Sequence, residues 1–406
     1  MENKDLNVII VNDFDYIQGG ASKVAIETAN LLASKGVNVI FFSGDSSKDS
    51  QLNSCVKKIC TYQGETLKNK NKIKGAVNGI YNFRAKRQLG QLLKTLDREK
   101  TIIHVHGWTK CLSSSIFDVC FKMNYKVVLT MHDYFTACPN GGFFNYRKNR
   151  ICYLKPMSWK CIKCNCDSRN YFFKIYRLIR QFVQTKIVKL NKNLKYAIGI
   201  SDLNIRVLKK YLSDNIHIQK IYNPIDFELP LKKVDVSKNH RYLYIGRVTK
   251  EKGVEIFCRE ISKRNYKGVV VGNGSELEKM KLKYPNIDFV GWKTKDEIEE
   301  YLKNARMLIF PSLWYEGAPL TPLEAMSYGI PCVVSNCSSA IEYFNQNNGE
   351  IFDPYISNSL TEKIDIINCD INMYSENAYN YMLNYKKNIY INELEKFYEK
   401  VLNLKK

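Results

Sequence analysis

Residues 306–334 read RMLIFPSLWYEGAPLTPLEAMSYGIPCVV. The apolar run Met307–Phe310 predicts a strand, and Glu316-Gly317-Ala318-Pro319 a loop. Thr321-Pro322-Leu323-Glu324 reads as a helix start: Thr321 as the cap, Pro322 at the first helical position and Glu324 three residues after the cap. Gly329 ends that helix, and Pro331-Cys332-Val333-Val334 opens the next strand. Strand, helix and strand in this order make an α/β fold with a parallel sheet. They also set two carboxylates, Glu316 and Glu324, between a strand's carboxyl end and a helix N-terminus. Open α/β sheets bind ligands there, and helix starts offer N–H groups to anions. The plainer reading makes Glu324 a capping-box partner and Glu316 a solvated loop residue.

Working outward, the same alternation fills both halves of the chain. In the first half LNVIIV (6–11) leads through Gly19-Gly20 into a helix from about Ala21 to Ser34, with Val24, Thr28, Leu31 and Leu32 on one face and Gly36 as its stop. Strands follow at VNVIFFSG (37–44), TIIHVH (101–106), YKVVLTMH (125–132) and YAIGIS (196–201). The second half alternates RYLYIG (241–246), KGVVVG (267–272), NIDFVGW (286–292), MLIF, PCVVS and GEIF with helices. The texture changes at Tyr222-Asn223-Pro224-Ile225-Asp226, so residues 1–222 are expected to form one doubly wound domain and 223–385 a second. A helical tail, 386–406, closes the chain.

Charge is one-sided. Residues 1–225 hold 37 Lys and Arg against 15 Asp and Glu, whereas 226–406 hold 25 of each. Such asymmetry points to a polyanionic partner: nucleic acid, an acidic membrane surface or phosphorylated substrates. No apolar run is long enough to span a bilayer, and the N-terminus MENKDLNVII lacks a signal-peptide pattern. Thirteen scattered cysteines argue against a secreted disulfide framework and for a reducing cytoplasm.

Several loops after second-half strands carry ligand-binding residue types. Gly246-Arg247-Val248-Thr249-Lys250-Glu251-Lys252-Gly253 places Arg247 and Lys252 to hold a diphosphate, Arg by a bidentate fork and Lys as a point charge. Gly272-Asn273-Gly274 lets a backbone approach a ligand, and Phe289-Val290-Gly291-Trp292 is placed to line a nucleobase pocket. Together with PS-x3-EGAP-x4-EAM-x2-G-x-PCV, this order resembles the signature of retaining glycosyltransferases of family 4, which have the GT-B fold. The resemblance implies two Rossmann-like domains facing across a cleft, with the terminal helix crossing back onto the N-terminal domain. It implies that Arg247 and Lys252 neutralise the leaving nucleoside diphosphate and that Glu324 binds the ribose. Glu316 would hold the donor sugar, with the amides of Gly317, Ala318, Pro319 and Leu320 around it. Gly19-Gly20 would approach the donor phosphate and the acceptor, and His132, with His106 as a second candidate, would stand near the reacting sugar. The implied activity is transfer, with retention, from a UDP- or GDP-sugar to a lipid-linked saccharide in surface polysaccharide synthesis. No Asp-x-Asp is expected at a strand end to carry Mg²⁺, and Arg247 with Lys252 replaces it, so the transfer is expected to be metal-independent. No catalytic cofactor and no nucleic-acid partner are expected.

Two first-half segments stand outside that pattern. Residues 138–166, CPNGGFFNYRKNRICYLKPMSWKCIKCNC, hold five of the thirteen cysteines. Cys161 and Cys164 have zinc-ligand spacing, Cys138 and Cys152 could complete four sulfurs, and Cys166 is able to replace one; the two readings are a structural zinc and a group of reduced thiols packing a loop. Residues 171–195 carry seven Lys and Arg, no acid, and apolar residues at helical spacing. They read as a basic amphipathic helix for an anionic bilayer surface, which places the protein in the cytoplasm, peripheral on the inner face of the plasma membrane. The competing readings are a zinc-containing nucleic-acid-binding protein, a GT-B epimerase and an inactive homologue.

Overall fold

The structure, a computed structural model, describes residues 6–225, 230, 232–344, 347–384 and 389–403. Part of the expected linker (226–229 and 231) and both ends of the expected terminal segment (386–388 and 404–406) lie outside the described residues. The chain divides into two compact units. One is Met1–Gly142, Leu154–Pro224 and Asn388–Lys406; the other is Phe143–Tyr153 with Ile225–Lys387.

In the first unit β1 (Asn7–Phe14), β2 (Asn38–Asp45), β3 (Lys57–Cys60), β4 (Thr101–Val105) and β5 (Lys126–Thr130) lead past a hairpin, β6 (Phe144–Asn145) and β7 (Arg150–Ile151), to β8 (Tyr196–Gly199) and β9 (His217–Lys220). Apart from the hairpin they form one parallel sheet in the order β3-β2-β1-β4-β5-β8-β9. Val8 to Val11 are fully buried, as a strand covered on both faces requires. The second unit holds β10 (Arg241–Ile245), β11 (Lys267–Val271), β12 (Ile287–Gly291), β13 (Ala305–Phe310), β14 (Cys332–Ser335) and β15 (Gly349–Phe352), parallel in the order β12-β11-β10-β13-β14-β15. The strand order reverses between β1 and β4 in one sheet and between β10 and β13 in the other. Those two switch points are where loops part and leave room for a ligand.

The helices that position functional groups are α1 (Gly20–Ser34), α2 (Lys72–Ile80), α3 (Tyr171–Phe182), α4 (Val254–Lys263), α5 (Thr321–Ser327) and α6 (Ile389–Asn403). The terminal helix α6 belongs to the first unit. Its Tyr390, Leu394, Phe397 and Val401, at helical spacing, share a core with Val8, Ile10 and the α1 residues Ala25, Ala29 and Leu32. Thr28 Oγ1 meets Tyr390 Oη at 2.5 Å, which fixes the register of α6 on α1.

Five features depart from the sequence reading. The edge strands β3 and β9 are additions, and a separate helix, Ile371–Leu383, precedes the expected tail helix α6. Residues 143–153, from the middle of the cysteine-rich segment, pack with the second unit rather than the first; Tyr355 Oη accepts from Ile151 N at 3.4 Å. Helix α5 begins one residue early: Leu320 is its cap position, Thr321 makes no side-chain cap, and the Glu324 amide donates to Leu320 O at 2.9 Å. Most consequentially, α3 turns its polar side inward. Lys174, Arg180 and Gln181 are buried, and Phe172, Ile175, Ile179 and Phe182 are exposed.

Candidate functional site

The chain leaves β10 at Gly246 and returns as α4 through a single 3-10 turn, Lys250–Lys252. Gly253 joins turn to helix at φ +69°, and a Cβ there would overlap the carbonyl oxygen of Pro311, just past β13. This close approach brings Lys252 against the Glu316 loop. The neighbouring loop is tied in by backbone bonds: Gly246 N donates to Val271 O and Val248 N to Asn273 O, each at 3.0 Å. A Cβ at Gly272 would overlap Gly246 O, and one at Gly274 would overlap Val248 O. Both glycines are therefore needed to pack one loop on the other, whatever they also do for a ligand. Gly272 N donates to Gly291 O at 2.7 Å, which adds half-buried Val290 to the same row of strand ends.

Glu316 is the centre of the arrangement. It is 8 % exposed, and three donors converge on its Oε1: Lys252 Nζ at 2.5 Å, Trp314 Nε1 at 2.5 Å and Ser312 Oγ at 3.0 Å. Among the described residues none donates to its Oε2. Burial alone would raise this carboxyl's pKa, but the Lys252 ammonium and the two further donors hold it below the usual carboxylate range. Lys252 also lies over the Trp314 ring at 5.5 Å, and the Arg247 guanidinium is 6.0 Å from the same ring. Arg247 is mostly exposed and pairs with Glu251 at 3.5 Å. An ammonium has three N–H donors, so bonding Glu316 leaves Lys252 others for an anion.

The loop is pinned from β14. Ser335 Oγ donates to Ser312 O at 2.6 Å, Ser339 N to Glu316 O at 3.1 Å and Ser339 Oγ to Gly317 O at 2.7 Å. The sequence reading did not assign Ser312, Trp314, Ser335 or Ser339; the serine run after PCVVS was the available signal. Among the other expected residues, Gly317, Ala318 and Leu320 are half-buried, Pro319 is buried, and Glu324 is half-buried in the first turn of α5. A cleft of 390 Å³ beside α4 is walled by the hairpin residues Tyr146 and Arg147 and by Lys250 and Tyr355, but neither Lys252 nor Glu316 lines it.

In the first unit, Gly19 caps α1 at φ +152°, and a Cβ on Gly19 or Gly20 would meet no atom within 4 Å. No packing explains Gly20, which unlike Gly19 has an ordinary φ. Gly20→Ala is therefore expected to leave the melting temperature unchanged and to lower transfer by about tenfold or more if a ligand approaches this backbone. Equal rates for the variant and wild type would remove the loop from the site.

The end of β5 carries His132 and the end of β4 His106. His106 Nδ1 and His132 Nε2 are hydrogen-bonded at 2.9 Å, their rings stacked with centroids 5.1 Å apart. Behind them His104 bonds Tyr398 Oη on α6 at 2.6 Å and Thr130 Oγ1 at 2.7 Å. Burial pushes all three rings down, His104 to about 3, His132 to about 4 and His106 well below its ordinary value. Neutral rings bond as donor and acceptor. His106 Nε2 is buried without a partner, so the tautomer that avoids an orphaned N–H has His106 Nδ1 donate to His132 Nε2. His132 then carries its own proton on Nδ1. Contrary to the expectation that no strand ends in Asp-x-Asp, Asp13 and Asp15 stand at the end of β1. Asp13 there accepts from the amides of Lys110, Cys111 and Leu112 at 2.7–3.1 Å, and Asp15 from Ser46 Oγ and Ser47 N, so both carboxylates anchor loops.

The five cysteines of residues 138–166 are divided between the two units. Cys152 sits in the segment that packs with the second unit, whereas Cys138, Cys161, Cys164 and Cys166 belong to the first. Among those sulfurs the Lys174 ammonium lies 3.2 Å from Cys166 Sγ and 3.6 Å from Cys161 Sγ. Among the described residues no group of three or more His, Cys, Asp or Glu is arranged to hold a metal.

Residues 18–229 match the family described as Glycosyltransferase Family 4, and residues 228–381 that described as Glycosyl transferases group 1. The lipopolysaccharide 1,6-galactosyltransferase of Salmonella typhimurium is 30% identical over 156 residues, 34% of this chain and 42% of that protein. The N,N'-diacetylbacillosaminyl-diphospho-undecaprenol alpha-1,3-N-acetylgalactosaminyltransferase of Campylobacter jejuni is 28% identical over 248 residues, 56% of this chain and 63% of that protein. Both alignments span less than two thirds of those relatives. Among solved structures, sucrose-phosphate synthase from Thermosynechococcus elongatus superposes with a TM-score of 0.70 at 15% identity, covering 98% of this chain and 100% of that one. Anabaena HepE in complex with UDP gives 0.66 at 14% identity, covering 97% and 100%. At these identities the likeness is one of fold.

Proposed function

Because the chain belongs to Glycosyltransferase Family 4 and has the GT-B fold, we propose that it transfers a sugar from a UDP- or GDP-sugar to a lipid-linked saccharide during surface-polysaccharide synthesis, with retention and without a metal. The observation that carries the reading is the Lys252–Glu316 pair at the ends of β10 and β13. A nucleotide-sugar needs positive charge for its diphosphate and an acceptor for its sugar hydroxyls, and that pair offers both side by side. Arg247 and Lys252 balance the negative charge that grows on the leaving diphosphate, and Glu316 Oε2 takes a hydroxyl of the sugar. Glu324 takes the ribose, Val290 lies beside the base, and Gly272, Asn273 and Gly274 border the phosphates. Within the first unit, the open Gly19-Gly20 backbone is suited to a phosphate and His132 Nδ1–H to a hydroxyl.

The relatives' names and the UDP complex support a nucleotide-sugar donor and a lipid-linked acceptor. Such an acceptor would put the enzyme on the inner face of the plasma membrane; among the described residues no helix is long and apolar enough to cross a membrane. The test is product analysis by NMR after incubating a sugar nucleotide with acceptor in EDTA. The expected product keeps the donor's anomeric configuration and forms at an undiminished rate. An inverted linkage, or loss of activity restored by Mg²⁺, would overturn the proposal.

A further inference from the structure

The orientation of α3 is fixed from within. Lys174 is held by the two cysteine sulfurs, and Arg177 by Asp167 at 3.1 Å. Arg180 reaches Pro139 O at 3.3 Å and Thr109 O at 3.4 Å, and lies over the Phe135 ring at 4.5 Å. Gln181 donates to Thr136 O, and Gln184, in the π-helical turn that continues the helix, to Phe135 O. With its polar side so engaged, the helix has no freedom to roll, and its apolar stripe points outward. Phe172 is 82% exposed and Ile187 60%.

Helix α2 repeats the inversion. It buries Gly75 and Gly79 and exposes Ile73 and Val77. A Cβ on Gly79 would overlap the Tyr176 hydroxyl of α3, so small residues let the two helices touch while their apolar side chains stay out. A soluble surface rarely carries so many large apolar side chains together.

We propose that α2 and α3 form one apolar plate that sinks into the acyl layer of an anionic bilayer. Charge selects this occupant over a second copy of the chain. Neither residues 66–96 nor 168–201 contain an Asp or Glu, and Lys68, Lys70, Lys72, Lys74, Lys186 and Lys189 stand exposed near the plate. Two such faces would repel one another, whereas anionic headgroups attract them. Trp159, exposed just before α3 with the Lys163 ammonium 4.8 Å from its ring, is a residue type favoured at the membrane interface. The grip differs from the one the sequence suggested: Lys174 and Arg180 are committed inside, so insertion rather than adsorption holds the protein. The inference deepens the membrane-acceptor reading, but its test does not depend on catalysis.

The full chain is sedimented with vesicles of phosphatidylcholine and phosphatidylglycerol, first at low salt and then in about 1 M NaCl, where the Debye length is about 3 Å. Wild type is expected to stay bound in both. The double variant Phe172→Ser/Ile179→Ser, and independently Ile73→Ser/Val77→Ser, is expected to lose partitioning by about tenfold or more with unchanged melting temperature and unchanged rate on a water-soluble acceptor. Wild-type partitioning by the variants, full release of wild type by salt, or a lipid-indifferent dimer dissolved by the same substitutions would each overturn the proposal. Absence of transfer to the soluble acceptor in all three proteins would count against the glycosyltransferase mechanism and leave the plate standing.

Discussion

Glu316→Gln and Lys252→Met are each expected to cut turnover by a factor of about 10² to 10⁴, because each removes a charge aimed at where charge develops in the transition state. Their effects on stability should differ. In Glu316→Gln the amide oxygen still accepts from Trp314 and Ser312, and Lys252, 16% exposed, turns toward solvent. In Lys252→Met a carboxylate only 11% exposed loses its cation, at a cost of about 3 kcal/mol. The pH dependence gives the sign. Wild-type Glu316 has its pKa lowered, so its pairing stabilises the fold fully above the ordinary carboxylate range, and that stability is lost as pH falls below the range through the lowered pKa. Without Lys252 burial is left to raise that pKa, and the stability gap between variant and wild type should narrow on acidification. Thermal melts at several pH values check this; a gap that widens toward acid would contradict the pairing.

Gly253→Ala should be the most damaging single methyl in the second unit. Its φ of +69° disfavours any L side chain, and the added Cβ would overlap backbone at Pro311 rather than a movable side-chain tip. A loss of about 3 kcal/mol or more is expected, lowering the melting midpoint of that unit by about 6 °C or more. Activity should fall as well, since Lys252 and Ser312 flank the contact. Gly20→Ala is the internal control: the same methyl added to open space.

The central strands were legible because each is a run of apolar residues bounded by Gly or polar turns. KKIC and HIQK, now β3 and β9, were not, because edge strands bury little and so carry no such run. Glu316, Lys252 and Arg247 were legible as residue types after strands. That Trp314, Lys252 and Ser312 all converge on one oxygen was not, since it depends on Gly253 closing against Pro311 across the sheet. Periodicity likewise located the apolar stripe of α3 but not its direction. The direction is set by carbonyls at Thr109, Thr136 and Pro139 and by the sulfurs of Cys161 and Cys166. Cysteine spacing likewise says nothing of Lys174, which reaches the sulfurs of Cys161 and Cys166 from α3.

Calorimetric titration of UDP and GDP into wild type, Lys252→Met and Arg247→Ala most directly tests whether these strand-end loops hold a nucleoside diphosphate. Wild type should bind at least one of the two, and each variant should bind it about tenfold or more weakly, with the corresponding nucleoside unaffected by either substitution. Equal affinity of all three proteins for the diphosphate would show that the phosphates lie elsewhere.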